Sequence, residues 1–276
     1  MRIDGNIEII AHIGWPTYSF KAPLIYNPYF EQAGINAMVT PMGCKPEHFP
    51  EFLRNVFHLE NVRGALITMP HKVSVMDLLD VISPAARVAG ACNAVKRGSD
   101  GKLYGDMFDG EGFVRGVQRK DFVVEGKRAL IVGAGGVGSA IVASLAHAGL
   151  KAMTLYDVDA TSCDALADRI RANFPHVRVC VGSNDPAGFD LVVNATPLGM
   201  KKGDPLPLDV SRLDANTFVG EVVMAQEITA FLAAARARGC RTQVGTDMLY
   251  EQIPAYLEFF GLPSTTAEHL REVSLA

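Results

Sequence analysis

"RALIVGAGGVGSAIVASLAHAGL", residues 128–150, decides how the rest of the chain is read. An apolar strand-like run ends in a G-x-G-x-x-G turn on Gly133, Gly135 and Gly138, with Gly136 and Val137 between them, and a helical stretch follows over Ser139–Ala148. The first glycine permits a tight turn. The second lets the backbone approach a pyrophosphate, and the third lets helix and strand pack closely, so that phosphates lie on the free amides and positive dipole end of the helix. A glycine motif alone is also read as a plain structural turn. Here the context speaks for a nucleotide, because a second strand-like run, "AMTLYDV", ends in Asp157 about 20 residues beyond the turn. A carboxylate there accepts ribose hydroxyls and repels a 2′-phosphate, and the next residues, "VDATSC", hold no arginine. The expected cofactor is NAD, with NADP as the alternative.

Downstream, "FDLVVNATPLGM" runs from a strand into an Asn-Ala-Thr-Pro turn. Strand C-termini of an open parallel sheet face the ligand crevice, so Asn194, Ala195, Thr196 and Pro197 are expected beside the cofactor. A proline-capped loop is the plainer reading of the same residues.

Upstream and downstream, short apolar runs (Ile7–Ile13, Ala37–Pro41, Gly64–Thr68, Ala91–Lys96, Val177–Val181, Thr217–Val223, Arg241–Val244) alternate with amphipathic segments such as Glu51–Leu59, Thr161–Phe174 and Glu227–Arg238. That alternation predicts an α/β protein with mostly parallel sheets. At 276 residues two domains are expected rather than one. Charge gathers in "RGVQRKDFVVEGK" (Arg115–Lys127), and a second break falls at Gly245–Asp247, before a final helix over Met248–Phe260. The ranges predicted are 1–115 for an N-terminal α/β domain with a parallel or mixed sheet, 116–245 for a Rossmann-type domain, and 246–276 for a C-terminal helical segment.

A hydrophobic fraction of 49%, a charged fraction of 20% and a net charge of −4 fit a soluble globular protein and disfavour nucleic acid or an anionic membrane as partner. No apolar run approaches the ~18 residues that cross a bilayer, and "MRIDGNIEII" lacks a signal-peptide layout, so a cytoplasmic location is expected. The five cysteines are scattered and never in C-x-x-C spacing, which points to reduced thiols. The seven histidines form no cluster with ligand spacing, so no metal is expected. The oligomeric state stays open, with a homodimer among the options.

Three polar residues interrupt the N-terminal half. In "GALITMPHKVSVMDLL" a strand ends at Thr68 and Pro70 suits the first turn of a helix, which would place Lys72 where the dipole disfavours a cation and proton transfer is eased. A solvated surface lysine is the plainer reading. His71 beside it is read as a helix-start residue rather than a base. "LYGDMFDGEGF" sets Asp109 before a helical stretch, where an aspartate is most often an N-cap. "AGACNAVK" sets Asn93 inside an apolar strand, where its amide needs partners and a substrate hydroxyl is one candidate.

Taken together, "GALITMPHK", "GACNAV", "GDMFDGEG", "GAGGVGSA", "NATPLGM" and "DMLYEQ" resemble, in order and spacing, the motifs of the shikimate dehydrogenase family over nearly the whole chain. The resemblance implies two α/β domains with a deep cleft between them and the C-terminal helix returning to the first, substrate-binding domain. It implies reversible hydride transfer between NAD(P) and a ring hydroxyl of a small-molecule substrate such as shikimate, quinate or a related cyclic acid. By motif position, Lys72 matches the catalytic lysine and Asp109 its partner aspartate, the two bracketing the reacting hydroxyl. Thr68, Asn93 and Gln252 match substrate-binding positions, and Met248 of "DMLYEQ" falls on the cofactor side.

The departures lie in the substrate pocket. The family's Ser-x-Ser pair, which grips a carboxylate, falls on Phe20 and Ala22 within "IGWPTYSFKAP" (Ile13–Pro23), a loop whose Trp15 also reads as an aromatic plug. The Asn-Thr before the catalytic aspartate is Met107-Phe108, the Asn two before Thr68 is Leu66, and the tyrosine after the last inner strand is Met224. Each change trades a hydrogen-bonding group for apolar surface, and each lost bond is worth roughly 1 kcal/mol. Two alternatives follow: a dehydrogenase for a more apolar cyclic alcohol or an aminated analogue, and a non-catalytic dinucleotide-binding regulator. The joint presence of Lys72, Asp109, Asn93 and Gln252 argues against the regulator.

Overall fold

The computed structural model describes residues 3–275; Met1, Arg2 and Ala276, the outermost residues of the ranges predicted above, lie outside it. The protein forms two compact units. One comprises the chain through Arg87, Ala91–Phe108 and the chain from Ile253 onward; the other comprises Val88–Gly90 and Asp109–Gln252.

The first unit is built on β1 (Glu8–Gly14), α1 (Ala22–Gln32), β2 (Ala37–Gly43), α2 (Phe49–Val56), β3 (Val62–Ile67), β4 (Val81–Ile82), most of α3 (Pro84–Ala89), β5 (Ala94–Arg97) and β6 (Leu103–Asp106). Its sheet runs β2-β1-β3-β5-β6-β4. The first three strands are parallel, while β5 is antiparallel to both β3 and β6. The sheet is therefore mixed, within the parallel or mixed arrangement expected, because the short Asn93–Leu103 segment folds β5 and β6 into a tight antiparallel pair with Gly98 N–H bonded to the Lys102 carbonyl at 2.9 Å.

The second unit holds α4 (Asp109–Arg119), β7 (Arg128–Val132), α5 (Gly136–His147), β8 (Ala152–Tyr156), α6 (Ala160–Asn173), β9 (Arg178–Val181), β10 (Leu191–Asn194), β11 (Phe218–Glu221), α7 (Ala230–Ala237), β12 (Arg241–Gln243) and the first half of α8 (Gly245–Phe260). α8 enters the first unit at Ile253, and α9 (Ala267–Val273) follows there. The sheet is wholly parallel in the order β12-β11-β10-β7-β8-β9, the doubly wound Rossmann arrangement.

Alternation along the strands explains why this sheet is apolar on both sides. Ala129 and Ile131 of β7, with Leu191 and Val193 of β10, pack into one core with Phe113, Ile141 and Leu166 of α4, α5 and α6. Leu130, Val132 and Val192 face the other way, into a core with Phe231, Leu232 and Ala235 of α7. Successive residues point to opposite faces, so a strand covered on both sides reads as an unbroken hydrophobic run.

Candidate active site

In the Rossmann unit the strand order reverses between β7 and β10, and the loops at their C-terminal ends meet there. Gly133 follows β7 with φ 111°, and a Cβ on it would lie 2.7 Å from the Ala195 carbonyl carbon and oxygen. A Cβ on Gly138 would collide with the Gly133 carbonyl oxygen. Both glycines are demanded by the protein's own backbone. Gly135 differs: a Cβ there would meet nothing within 4 Å. It is the N-cap of α5, whose first turn, with Gly136, Val137 and Gly138, receives no side-chain cap. The turn therefore offers open space and uncapped helix amides, which fits a pyrophosphate.

Asp157, just past β8, is fastened to this turn. Its Oδ2 accepts the Ala134 N–H at 2.7 Å and its Oδ1 accepts the Asp159 N–H at 3.0 Å. Each carboxylate oxygen keeps a second lone pair for a hydroxyl donor. The following residue, Val158, is 94% exposed and carries no charge.

Asn194 shapes the turn that follows β10. It is fully buried at the end of β10; its Nδ2 donates to the Leu198 carbonyl at 3.0 Å, and its Oδ1 accepts from the Thr196 N–H at 3.1 Å and the Thr196 hydroxyl at 2.6 Å. These bonds fold the Thr196–Pro197 turn at the C-terminal end of β10. Met248 is 1% exposed within the core against α4, where a Cβ on Gly112 would lie 2.5 Å from its carbonyl oxygen. Met224 packs partly buried on the same core. Gln252, on α8, is 4% exposed and its Oε1 has no hydrogen-bond partner. Asp109 opens α4 as a buried residue of its first turn.

In the first unit the helix expected at Pro70 does not form. The Lys72 carbonyl accepts from Cys92 N–H at 2.8 Å, so it is not available to Met76, whose N–H turns instead to Val73. The segment is a run of turns entering a short 3-10 helix at Ser74–Leu78, and the dipole argument for Lys72 lapses. His71 is structural: its ring stacks on Phe49 with centroids 3.9 Å apart, and its Nε2 donates to the Cys44 carbonyl at 2.8 Å.

Asn93 stands one residue before β5 rather than inside it. Its backbone bridges two neighbours, donating to the Asp106 carbonyl at 3.0 Å and accepting from Ile67 N–H at 2.8 Å. Its side-chain Oδ1 accepts from Phe108 N–H at 3.0 Å, while its Nδ2 is buried without a partner. Because Cys92 is bonded to Lys72, that amide donor is carried next to the lysine segment.

The Ile13–Pro23 loop also departs from its reading. Trp15 is 46% exposed and Tyr18 89% exposed, so neither is a plug. Ala22 is not in the loop but is the buried first residue of α1. Phe20 is the ring that packs inward, stacked on His12 with centroids 4.0 Å apart and 26° between planes.

His12 escaped the sequence reading, although the signal was the one that singled out Asn93: a polar residue inside an apolar run, "IEIIAHIG". It is 8% exposed, and its Nδ1 is buried without a hydrogen-bond partner. Burial, and secondarily the charge of Lys72, lower its pKa to about 3, so the ring is neutral. Its register partner on β3 is Leu66, and partners across a ladder project to one face. A Cβ on Gly14, two residues on, would collide with the Thr68 side chain and lie 3.0 Å from the Phe20 ring. His12, Gly14, Leu66 and Thr68 thus form one face at the C-terminal ends of β1 and β3, with Phe20 laid over it.

Comparison with known proteins agrees with this arrangement. A model described as the shikimate dehydrogenase substrate binding domain matches residues 13–95. A shikimate dehydrogenase (NADP(+)) from Paracoccus denitrificans is 35% identical, over 96% of this chain and 94% of its own length. The chain belongs to the shikimate dehydrogenase family. A ThiF family model also matches residues 120–174, the segment holding the glycine turn. Among solved structures, shikimate 5-dehydrogenase from Listeria monocytogenes in complex with shikimate and NAD is similar with a TM-score of 0.90 at 25% identity, covering 99% of this chain and 98% of that one. The ligand-free 5-ketofructose reductase of a Gluconobacter strain has a TM-score of 0.87 at 27% identity, covering 98% of each chain. As a family member the protein is an oxidoreductase that uses a nicotinamide cofactor on an alcohol.

Proposed function

We propose that this protein is an NAD-dependent oxidoreductase that interconverts a secondary ring hydroxyl and its ketone in shikimate, quinate or a related small polyhydroxylated substrate. The observation that carries the cofactor choice is Asp157, held against the glycine turn by Ala134 and followed by the uncharged Val158. A 2′-phosphate would face a carboxylate with no cation supplied by the next residue, whereas a ribose diol meets acceptor oxygens. The Listeria structure contains NAD; the Paracoccus relative is named for NADP(+), which makes the Asp157–Val158 pair the deciding feature.

In this reading the Rossmann unit holds the dinucleotide through Gly135–Gly138 and Asp157. A nicotinamide dinucleotide held there would supply the hydride chemistry for the carbinol carbon. Lys72 Nζ takes the hydroxyl proton during oxidation and gives it back during reduction, and Asp109 orients that exchange. Asn93 Nδ2 donates to a substrate oxygen, which supplies the partner this buried amide lacks. Thr68 and Gln252 add further hydrogen bonds.

The test is steady-state kinetics of the purified chain with shikimate and quinate, each with NAD and NADP. Turnover with a kcat/KM at least tenfold higher for NAD is expected. Equal use of NADP overturns the cofactor choice, and dinucleotide binding without turnover of any alcohol favours a regulator. A second reading, reduction of an uncharged keto-sugar, is favoured by the Gluconobacter similarity and by the His12–Phe20 stack.

A further inference from the structure

We propose that His12 and Phe20 set the substrate preference: the imidazole hydrogen-bonds an uncharged hydroxyl or carbonyl of the substrate, and the wall they form disfavours a carboxylate. This rests on the reading of the Lys72 region as the substrate site of a nicotinamide-dependent oxidoreductase.

Two buried polar groups without partners flank the Lys72 segment within one unit. Asn93 Nδ2 lies beside the Cys92–Lys72 backbone bond, and His12 Nδ1 belongs to a ring close enough for Lys72 to perturb it. A buried polar atom without a partner is costly, and native proteins keep few of them without a use. His12 is the only polar ring on the face it shares with Gly14, Leu66 and Thr68, and it lies on the same side as the ligand-facing strand ends.

The chemistry of that face decides what it can bind. Phe20 and Leu66 offer only apolar surface, and Ala22 is buried in the first turn of α1. His12 is neutral, held so by burial and by the lysine charge. An anion pressed against a neutral imidazole and an aromatic ring gives up its hydration, and neither ring carries a charge to replace it. A hydroxyl or carbonyl pays far less to enter and can pair with an imidazole nitrogen. The ring stack also fixes the imidazole plane, so the hydrogen-bonding direction is preset.

The experiment compares shikimate with its methyl ester, in which a methyl group replaces the negative charge at this end, and adds 5-ketofructose as an uncharged keto-sugar. Wild-type protein, His12→Ala, His12→Gln and Phe20→Ser are assayed with NAD(H), and dinucleotide affinity is measured for each. The expected result is a kcat/KM at least tenfold higher for the ester than for the acid. His12→Ala should lose at least tenfold on uncharged substrates through KM, His12→Gln should recover part of that loss, and Phe20→Ser should narrow the ester-to-acid ratio. Unchanged NAD(H) affinity shows that each variant is folded. A wild-type preference for the acid, or a ratio that His12→Ala and Phe20→Ser leave unmoved, overturns the proposal and leaves the oxidoreductase reading standing. Failure to turn over all three compounds overturns both.

Discussion

The side-chain oxygen of Asn93 accepts the Phe108 N–H at 3.0 Å and so fixes the chain one residue before Asp109. Phe108 is held on its other side by Tyr256 and Phe259 of α8, with ring centroids 4.9 and 5.7 Å away. A single buried amide is thereby split: its acceptor anchors the approach to Asp109, while its Nδ2 is buried without a hydrogen-bond partner. Asn93→Leu should cost about 1–3 kcal/mol of stability, because the Phe108 N–H is left buried and unpaired. Urea unfolding measures this, and a loss below the experimental error would show that the bond is dispensable.

Lys72→Ala should lower kcat by roughly 10²–10⁴-fold while leaving NAD(H) affinity intact, since proton transfer and dinucleotide binding fall to different residues. Lys72→Arg should be nearly as inactive, because a guanidinium does not give up its proton. Unchanged turnover in either variant would remove Lys72 from the chemistry.

Gly135 allows a separation of binding from folding. Its φ of −69° suits any residue and its Cβ position is open, so Gly135→Ala should leave the melting temperature nearly unchanged. The added methyl would stand where a pyrophosphate approaches, and dinucleotide affinity should fall at least tenfold, about 1.4 kcal/mol. Calorimetric titration with NAD checks it; unaltered affinity would place the phosphates elsewhere.

Cofactor choice should follow the residues after β8. Asp157→Asn combined with Val158→Arg removes the repelling charge and supplies a cation for a 2′-phosphate. The ratio of kcat/KM for NAD over NADP should drop by tenfold or more. A ratio that does not move would show that recognition of the ribose lies outside this turn.

Two buried groups should pull stability in opposite directions with pH. His12 has its pKa lowered by burial, then by Lys72, from 6.5 to about 3. The unfolded chain binds the extra proton between these values, so this contribution is present above pH 6.5 and is lost as the pH falls. Glu221, fully buried, is raised by burial from 4.5 to about 7, with the Thr229 hydroxyl bonded to its Oε2 at 2.9 Å. The folded state binds its extra proton in that window, so this contribution is present below pH 4.5 and is lost as the pH rises towards 7. Between pH 7 and pH 5, His12→Gln should gain stability relative to wild type on acidification, and Glu221→Gln should lose it. Parallel unfolding curves for all three proteins would contradict both.

Much of this protein is legible from one strand–turn–helix. The apolar run 129–132, the glycines at 133, 135 and 138, and Asp157 prescribe a Rossmann unit, because only glycine tolerates the contacts of Gly133 with Ala195 and of Gly138 with Gly133. Local chemistry carries that information. Asn93 was legible for a similar reason, since an amide in an apolar run must find partners.

What local chemistry misled was what distant segments rewrite. Pro70 favours a helix start by propensity, yet Cys92 takes the Lys72 carbonyl and leaves a turn. Which atoms Asn194 bonds is set by its own turn, through Thr196 and Leu198. The sequence by itself determined the alternation of elements, the glycine turn, the acidic residue after it and the order of the family motifs, all of which depend on neighbours within a few residues. Only the tertiary structure decided that His12 stacks on Phe20, shares a face with Leu66 and Thr68 and feels the charge of Lys72. Those contacts join β1, β3 and two loops, and no spacing along the chain encodes which ring will cover which strand.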